Sequence, residues 1–350
     1  MFYSDQVILE IVQLELTSRC NEQCVHCYIS DGIKRHDMDS MLLWDILNQC
    51  RNIGIKQVVF SGGEPMLHPD FLNAVDRTTW DGVKIRILSN LTELNDTIIE
   101  KLKINKAHIK EIQTSLYSVD PVIHDKVTNV PGSCELTKQG IKKLTEQNIP
   151  VFITCPITTI NKNSYPDVLA FAKRLGLRSG PNNMITAQSD GSGKNLQYRL
   201  DINDAVQVIQ DILDNDNAYD DKRFFPGYHN LDDALPCVQN ICKNSIFVNV
   251  RGEIIPQPGW NKVLGDITKK TLLDIWQNSP DVINMRKINL NDFPKCITCP
   301  DIHFCVMSLE GNANENPQGD PFVIPDYLCA YARYARILVH SYHMAKEVIV

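Results

Sequence analysis

The chain has 350 residues and a mass of 39.7 kDa, a length that predicts two domains or slightly more. Its residues are 43% hydrophobic and 22% charged, which excludes a disordered or fibrous protein. A formal net charge of −7 argues against a broad nucleic-acid-binding surface. No apolar run reaches the roughly 20 residues of a membrane helix, and no secretory signal is visible, so we expect a cytoplasmic protein that binds no nucleic acid and no membrane.

Strands and helices alternate in the first part of the chain. Short β-branched runs predict strands at 8–16, 57–61, 83–89, 111–116, 151–156 and, more weakly, 182–186. Amphipathic stretches between them predict helices at 39–54, 69–76, 95–103, 134–148 and 164–176. Asp39 is the expected N-cap of the first helix, and Gly54 and Gly176 are expected helix ends. Such alternation implies parallel pairing, hence an α/β sheet or partial barrel.

Polar residues and a cysteine stand where the predicted strands end. Cys20 follows the first strand, 61–64 the second, Ser89 and Asn90 the third, and Ser115 the fourth. Because functional residues of α/β folds collect at these strand ends, we expect them to share one face of the sheet.

The sequence changes in character after residue 190. A polar stretch at 188–195 precedes a helical pattern at 200–220, and further helices are predicted at 272–278 and 327–349. We expect four regions, at 8–190 (barrel), 191–235 (linker and bridging helix), 236–335 (cysteine-rich domain) and 336–350 (C-terminal helix).

Twelve cysteines are more than a reduced cytosolic protein needs, and they favour metal or catalytic use over disulfides. Cys20, Cys24 and Cys27 have the spacing C-x3-C-x2-C. Such a loop can bring three thiolates onto three corners of an iron–sulfur cube and leave one iron free. A zinc knuckle or chance is the alternative, with His26 as the only local candidate for a fourth ligand.

This loop resembles that of the radical S-adenosylmethionine (radical SAM) superfamily, whose loop also follows a first strand and has an aromatic residue, here His26, before the last cysteine. Gly62, Gly63, Glu64 and Pro65 match the family's glycine-rich motif after the second strand. The resemblance implies a partial (β/α)6 barrel in which this motif holds the amino group of SAM.

The resemblance also implies that Ser89, Asn90 and Ser115 lie where the family contacts the ribose and carboxylate of SAM, and that His26 is a further cofactor-binding residue. The implied cofactors are a 4Fe–4S cluster and SAM. One electron, from an external donor such as flavodoxin or ferredoxin, cleaves SAM to a 5′-deoxyadenosyl radical, which abstracts hydrogen from an unactivated carbon. The protein has to orient SAM and exclude water.

A second set of cysteines lies near the end of the chain, at Cys296, Cys299, Cys305 and Cys329. Zinc is one reading of this spacing. After a radical SAM domain, however, the pattern resembles the SPASM extension, whose distal auxiliary cluster has four such ligands. The resemblance implies one fully ligated auxiliary 4Fe–4S cluster that relays electrons.

The proximal auxiliary cluster of SPASM domains is expected to be absent or incomplete here. Cys237 and Cys242 match its first two ligands, but Gln257 and Leu309 stand at the other two positions. Glutamine is a poor iron ligand and leucine cannot be one. The two cysteines are then free thiols, a disulfide or hydrogen donors, and Pro258 in place of a catalytic aspartate argues against sulfatase maturation.

The expected function is modification of a residue in a ribosomally made precursor peptide, by a carbon–carbon or thioether crosslink or by epimerisation. Epimerisation needs a hydrogen donor, for which Cys155 is a candidate, although a buried core cysteine is the simpler interpretation. The chain begins near its first strand, so we expect a separate leader-recognition protein or direct leader binding to the acidic surface. The alternatives are a small-molecule cofactor precursor as substrate, or a zinc-stabilised binding scaffold.

Overall fold

The computed structural model describes residues 7–30, 35–215 and 241–347. Its centre is a nine-stranded sheet with the strand order β6-β5-β4-β3-β2-β1-β7-β8-β9. Strands β1 to β6 are parallel to their neighbours. Their bounds are Ile11–Thr17 (β1), Gln57–Gly62 (β2), Lys84–Leu88 (β3), Ile109–Ser115 (β4), Val151–Pro156 (β5) and Arg178–Asn182 (β6).

Helices connect these parallel strands. Their bounds are Ser40–Ile53 (α1), Phe71–Trp80 (α2), Asp96–Ile104 (α3), Pro121–Thr128 (α4), Ser133–Glu146 (α5) and Tyr165–Arg174 (α6). This alternation confirms the predicted α/β fold of the partial-barrel type.

Helix α1 illustrates how the sequence forms these elements. The side chain of Asp39 accepts hydrogen bonds from the backbone N–H groups of the first turn, and Gly54 ends the helix with φ at 80°. Leu43, Ile46 and Leu47 recur on one face and are buried against the sheet. Burial of each such side chain stabilises the fold by about 1.5–3 kcal/mol.

The two faces of the sheet differ in character. In β1, Val12, Leu14 and Leu16 are buried in the hydrophobic core under the helices. Gln13 and Glu15 alternate with them and are only partly buried. The amide of Gln13 donates to the hydroxyl of Ser61 on β2 (3.1 Å), so the face away from the helices is polar.

The C-terminal part extends the same sheet. Strand β7 (Ser245–Val248) pairs in parallel with β1, and β8 (Glu253–Ile255) and β9 (Gly265–Asp266) follow antiparallel. The other helices of the described residues are Ile202–Asn215 (α7), Leu272–Asn278 (α8), Pro280–Lys287 (α9), Leu309–Glu315 (α10) and Asp326–Glu347 (α11). Within the described ranges no helix is both long and apolar enough to span a bilayer.

The prediction of a sixth strand at 182–186 was wrong, because the sixth strand is β6 at Arg178–Asn182. Gly180 and Pro181 in this strand have low strand propensity, which hid it in the sequence. Its other edge pairs with no strand of the described residues, and Pro181 is compatible with such an edge. Helices α4, α9 and α10 were also not predicted.

Candidate functional site

The ends of β1 and β2 are locked together at two glycines. A Cβ atom on Gly63 would lie 2.2 Å from the carbonyl oxygen of Arg19 and 2.9 Å from the nitrogen of Cys20. A Cβ atom on Gly62 would lie 2.1 Å from the carbonyl oxygen of Thr17. No side chain fits in either place. The glycines therefore let the loop after β2 touch the backbone from which the cysteine loop begins.

Glu64 lies behind this contact, fully buried. Its carboxylate accepts hydrogen bonds from the N–H of Met66 (3.0 Å), the N–H of Asn90 (2.8 Å) and the hydroxyl of Ser89 (2.9 Å). Burial raises the pKa of Glu64 to about 7, against the effect of these three donors. A group that offers hydrogen-bond donors to Glu64 would therefore stabilise the carboxylate. Pro65 continues from Glu64 as the first residue of a 3-10 helix.

Asn90 connects the end of β3 to the cysteine loop. Its amide donates to the side-chain oxygen of Asn21 (2.8 Å) and lies 3.9 Å from the sulfur of Cys20. Ser115 is the last residue of β4, and the carbonyl of Gln113 in the same strand accepts from the N–H of Ser89 (3.0 Å). The structure thus brings the residues predicted at the strand ends to one edge of the sheet.

Helix α4, which the sequence analysis missed, holds the cysteine loop from the other side. Two backbone hydrogen bonds of 2.9 Å join Gln23 and Val25 of the loop to the carbonyl groups of Thr128 and Val127. Asp125 fixes the helix in turn, because its carboxylate accepts from the N–H groups at the start of α5. This helix has only eight residues, too few for its buried positions to show a clear helical periodicity in the sequence.

The three cysteines of the loop line a recess. Each keeps part of its surface exposed, yet burial raises the pKa of Cys20 to about 12 and also raises the pKa of Cys24 well above its ordinary value. The loop turns tightly on itself, because the N–H of Cys27 donates to the carbonyl of Cys24 (3.0 Å) and the N–H of Glu22 donates to the sulfur of Cys20 (3.4 Å), so the three partly exposed thiols lie around one space. This arrangement fits an iron–sulfur cube, whose thiolates bind separate irons. In the described ranges, no three His, Cys, Asp or Glu side chains are gathered for a single metal ion.

His26 forms part of the wall of this recess. Burial lowers its pKa to about 4, so the imidazole is neutral at physiological pH. Its ring packs edge-on against that of Tyr117, with centroids 5.2 Å apart. Its Nδ1 is buried without a hydrogen-bond partner, which leaves a polar atom for a ligand to satisfy.

The second set of cysteines is built on successive tight turns. The N–H of Cys299 donates to the carbonyl of Cys296 (3.1 Å), and Cys305 lies one further turn along the chain. The pKa of Cys296 is raised, mainly by burial and to a smaller extent by the nearby thiols of Cys299 and Cys329. Cys329 belongs to α11, so this helix brings a cysteine to the loop. Asp301 ties the loop to α11 through an ion pair with Arg336 (2.6 Å).

The four positions expected for a proximal auxiliary cluster do not all carry cysteines in this chain. Leu309 is fully buried in the hydrophobic core, and Cys242 is buried as well. The side-chain oxygen of Gln257 is buried without a hydrogen-bond partner. Cys237 lies outside the described residues.

Cys155 lies on the helix-facing side of β5, in the hydrophobic core. Its sulfur contacts the carbonyl of Tyr117 (3.8 Å). The structure thus places Cys155 in the position of a core cysteine, away from the polar face of the sheet, and gives no support to a hydrogen-donor role.

Comparison with sequence families agrees with this geometry. The profile of the Radical SAM superfamily matches residues 14–175. The profile of the SPASM iron-sulfur cluster-binding domain matches residues 237–300. The first match spans β1 to α6, and the second contains Cys242, Cys296 and Cys299.

Two curated relatives share limited identity with the chain. The AdoMet-dependent heme synthase of Methanosarcina barkeri is 27% identical over 168 residues, which are 47% of this chain and 48% of that enzyme. The chain thus matches about half the length of that relative. The PqqA peptide cyclase of Xanthomonas axonopodis pv. citri is 24% identical over 291 residues, 79% of this chain and 76% of the cyclase.

Among solved structures, Streptococcus suis SuiB with bound S-adenosylmethionine superimposes with a TM-score of 0.69. The sequence identity is 18%, and the match covers 92% of this chain and 77% of SuiB, so it supports the fold. The two profile matches show that the chain carries a radical SAM domain and a SPASM-type iron–sulfur domain, and the site geometry and the shared fold agree with both.

Proposed function

We propose that this protein cleaves S-adenosylmethionine reductively and uses the 5′-deoxyadenosyl radical to abstract hydrogen from a residue of a ribosomally made peptide. The product is a carbon–carbon or thioether crosslink, or an epimerised residue. The observation that supports this most strongly is the recess lined by Cys20, Cys24 and Cys27, which the backbone contact at Gly63 joins to the Glu64 network.

Each side chain at the recess has a role that its surroundings suit. Cys20, Cys24 and Cys27 would hold a 4Fe–4S cluster, which supplies the electron for cleavage when it is bound. Glu64 would accept hydrogen bonds from the amino group of SAM, and that interaction favours its carboxylate form. The neutral imidazole of His26 would contact SAM without adding charge.

Asn90 and Ser89 would position Glu64 relative to the cysteine loop. Both are bonded to Glu64, and Asn90 also lies against Cys20, so they set the distance between the carboxylate and the cluster loop. Ser115 at the next strand end would complete the contacts to SAM. Glu64 is fully buried and His26 is half-buried, and such burial would strengthen the interactions that orient SAM and help to exclude water from the radical.

The C-terminal cysteines would hold one auxiliary cluster through Cys296, Cys299, Cys305 and Cys329. The burial of Leu309 and Cys242 in the core supports a proximal cluster that is absent or incomplete. We expect about eight irons per chain after anaerobic reconstitution, because each 4Fe–4S cluster adds four.

A peptide substrate is supported by the cyclase, whose likeness covers most of both chains, and by SuiB, which has also been solved with its precursor peptide SuiA. An external one-electron donor and a separate leader-recognition protein are the further partners that we propose. A small-molecule substrate is the second candidate, and the likeness to the heme synthase favours it.

The deciding experiment is anaerobic incubation of the reconstituted protein with SAM, reductant and the peptide encoded beside its gene, in D2O. We expect 5′-deoxyadenosine together with a peptide that has lost two hydrogens, for a crosslink, or gained one deuterium, for epimerisation. The Cys24→Ala variant is the control and should do neither. A peptide that stays unchanged and does not raise 5′-deoxyadenosine formation would contradict the peptide substrate and favour the small molecule.

A further inference from the structure

The phenol of Tyr117 lies against one of the three cysteines of the recess. Its oxygen is 3.6 Å from the sulfur of Cys24, and the residue is only 4% exposed. Tyr117 follows β4 and is a neighbour of the site in space, 93 residues from Cys24 in sequence.

Packing and backbone contacts fix the direction of this phenol. The Tyr117 ring is held between His26 and His124, with both pairs of centroids 5.2 Å apart. Its backbone N–H donates to Nδ1 of His124 (3.3 Å), and its carbonyl accepts from the amide of Asn161 (2.8 Å). The hydroxyl is therefore held at the sulfur by the surrounding structure rather than by the contact itself.

The chemistry of a ligated cysteine determines the donor. In the free thiol either atom can donate. A sulfur bound to iron has no proton, so it can only accept a hydrogen bond, whereas a phenolic hydroxyl can donate one. With a cluster in place, the hydroxyl of Tyr117 must donate to the sulfur of Cys24.

We propose that Tyr117 is a positioning residue that raises the reduction potential of the cluster held by Cys20, Cys24 and Cys27. This inference rests on the proposed function. The cluster takes up one electron and no proton, and the phenolic hydrogen stays on its oxygen. The added negative charge lies partly on the sulfurs, so the hydrogen bond is stronger in the reduced state and stabilises it.

The surroundings make this effect measurable. Little solvent reaches the phenol, so the hydrogen bond acts at low local dielectric. Glu22 also approaches the same sulfur, with Oε2 at 3.3 Å. Glu22 is the same in the wild type and in a variant altered only at Tyr117. The difference in reduction potential between these two proteins therefore measures the effect of the phenol.

The test is a dye-mediated redox titration of the full chain, without SAM, following the EPR signal that responds to SAM in a parallel sample. We expect Tyr117→Phe to keep its iron content and thermal stability, because the ring remains, and to show a more negative midpoint potential. Tyr165→Phe is the matched control. It removes an equally buried hydroxyl, which is bonded to the carboxylate of Asp211 in α7 (3.2 Å), and should leave the potential unchanged.

A second variant covers the case in which the phenylalanine variant loses its cluster. Site-specific 3-fluorotyrosine at position 117 makes the phenol a stronger donor and should shift the potential in the less negative direction. If the wild type, Tyr117→Phe and the 3-fluorotyrosine variant have equal midpoint potentials, the proposed role of Tyr117 is overturned. Absence of any SAM-responsive signal in the wild type would instead overturn the proposed function on which this inference depends.

Discussion

Glu64 is the residue whose surroundings are hardest to explain without a ligand. Its side chain is fully buried, accepts three hydrogen bonds and forms no ion pair with a Lys, Arg or His of the described ranges. A buried carboxyl without a cation is costly, and burial accordingly raises its pKa to about 7. An amino group at the recess would supply the missing partner.

Replacing this carboxyl tests the assignment. Glu64→Gln should weaken SAM binding by roughly 10- to 100-fold, the equivalent of about 1.5–3 kcal/mol for a hydrogen bond to a charged group. Equilibrium dialysis with labelled SAM measures this. Glu310→Gln is the matched control, because burial also raises the pKa of Glu310 to about 7 while its carboxylate contacts Thr186 and Ser308.

The raised pKa of Glu64 also predicts how SAM binding depends on pH. Because the raised pKa of Glu64 is about 7, its carboxylate form predominates above that pH and the neutral carboxyl below it. SAM affinity should therefore fall as the pH drops from 8 to 6, by up to about tenfold per unit below the pKa. The Glu64→Gln variant should lose this dependence, and a wild-type affinity that is flat over this range would contradict the assignment.

At the scale of elements, the contact between the loop after β2 and the end of β1 determines the site. The N–H of Glu64 donates to the carbonyl of Arg19 (2.8 Å), and the N–H of Gly63 donates to that of Thr17 (2.7 Å). These bonds hold together the two segments that carry Glu64 and Cys20. The glycine motif is thus a structural requirement of the approach as well as part of the ligand site.

Gly63→Ala should break this approach. The added Cβ would lie 2.2 Å from a backbone oxygen, and we expect a loss of roughly 1–3 kcal/mol in the free energy of unfolding, with loss of the SAM-site cluster. Urea unfolding of the apoprotein and the iron content measure the two effects. Gly180→Ala is the control, because its Cβ would meet Phe152 at an ordinary 3.4 Å. Full iron retention in Gly63→Ala would refute the role of this contact.

Some elements could be predicted from sequence and others could not, for physical reasons. The apolar runs in β1 to β5 and the caps of α1 are local signals, and they gave the parallel core. Strand β6 has no β-branched run, so the sequence analysis predicted this strand at the wrong position. The pairing of Tyr117 with Cys24 depends on tertiary packing across 93 residues, which no local pattern encodes.

At the scale of the whole molecule, the two cysteine sets belong to one continuous structure. Strand β1 pairs with β2 on one side and with β7 on the other. The indole of Trp276 donates to the carbonyl of Val7 (2.7 Å), and Arg199 pairs with Glu315 (2.7 Å), so side chains also join the two parts. A SPASM-type domain built this way is held in a fixed position relative to the barrel.

The most direct test of the account is an EPR measurement on the full chain, reconstituted anaerobically and reduced with dithionite, with and without SAM. We predict a reduced-cluster signal of which one component changes on adding SAM, and the loss of that component in Cys24→Ala while the auxiliary component remains. A spectrum without a cluster signal, or one that SAM leaves unchanged, would contradict the claim that Cys20, Cys24 and Cys27 hold a cluster with an open iron.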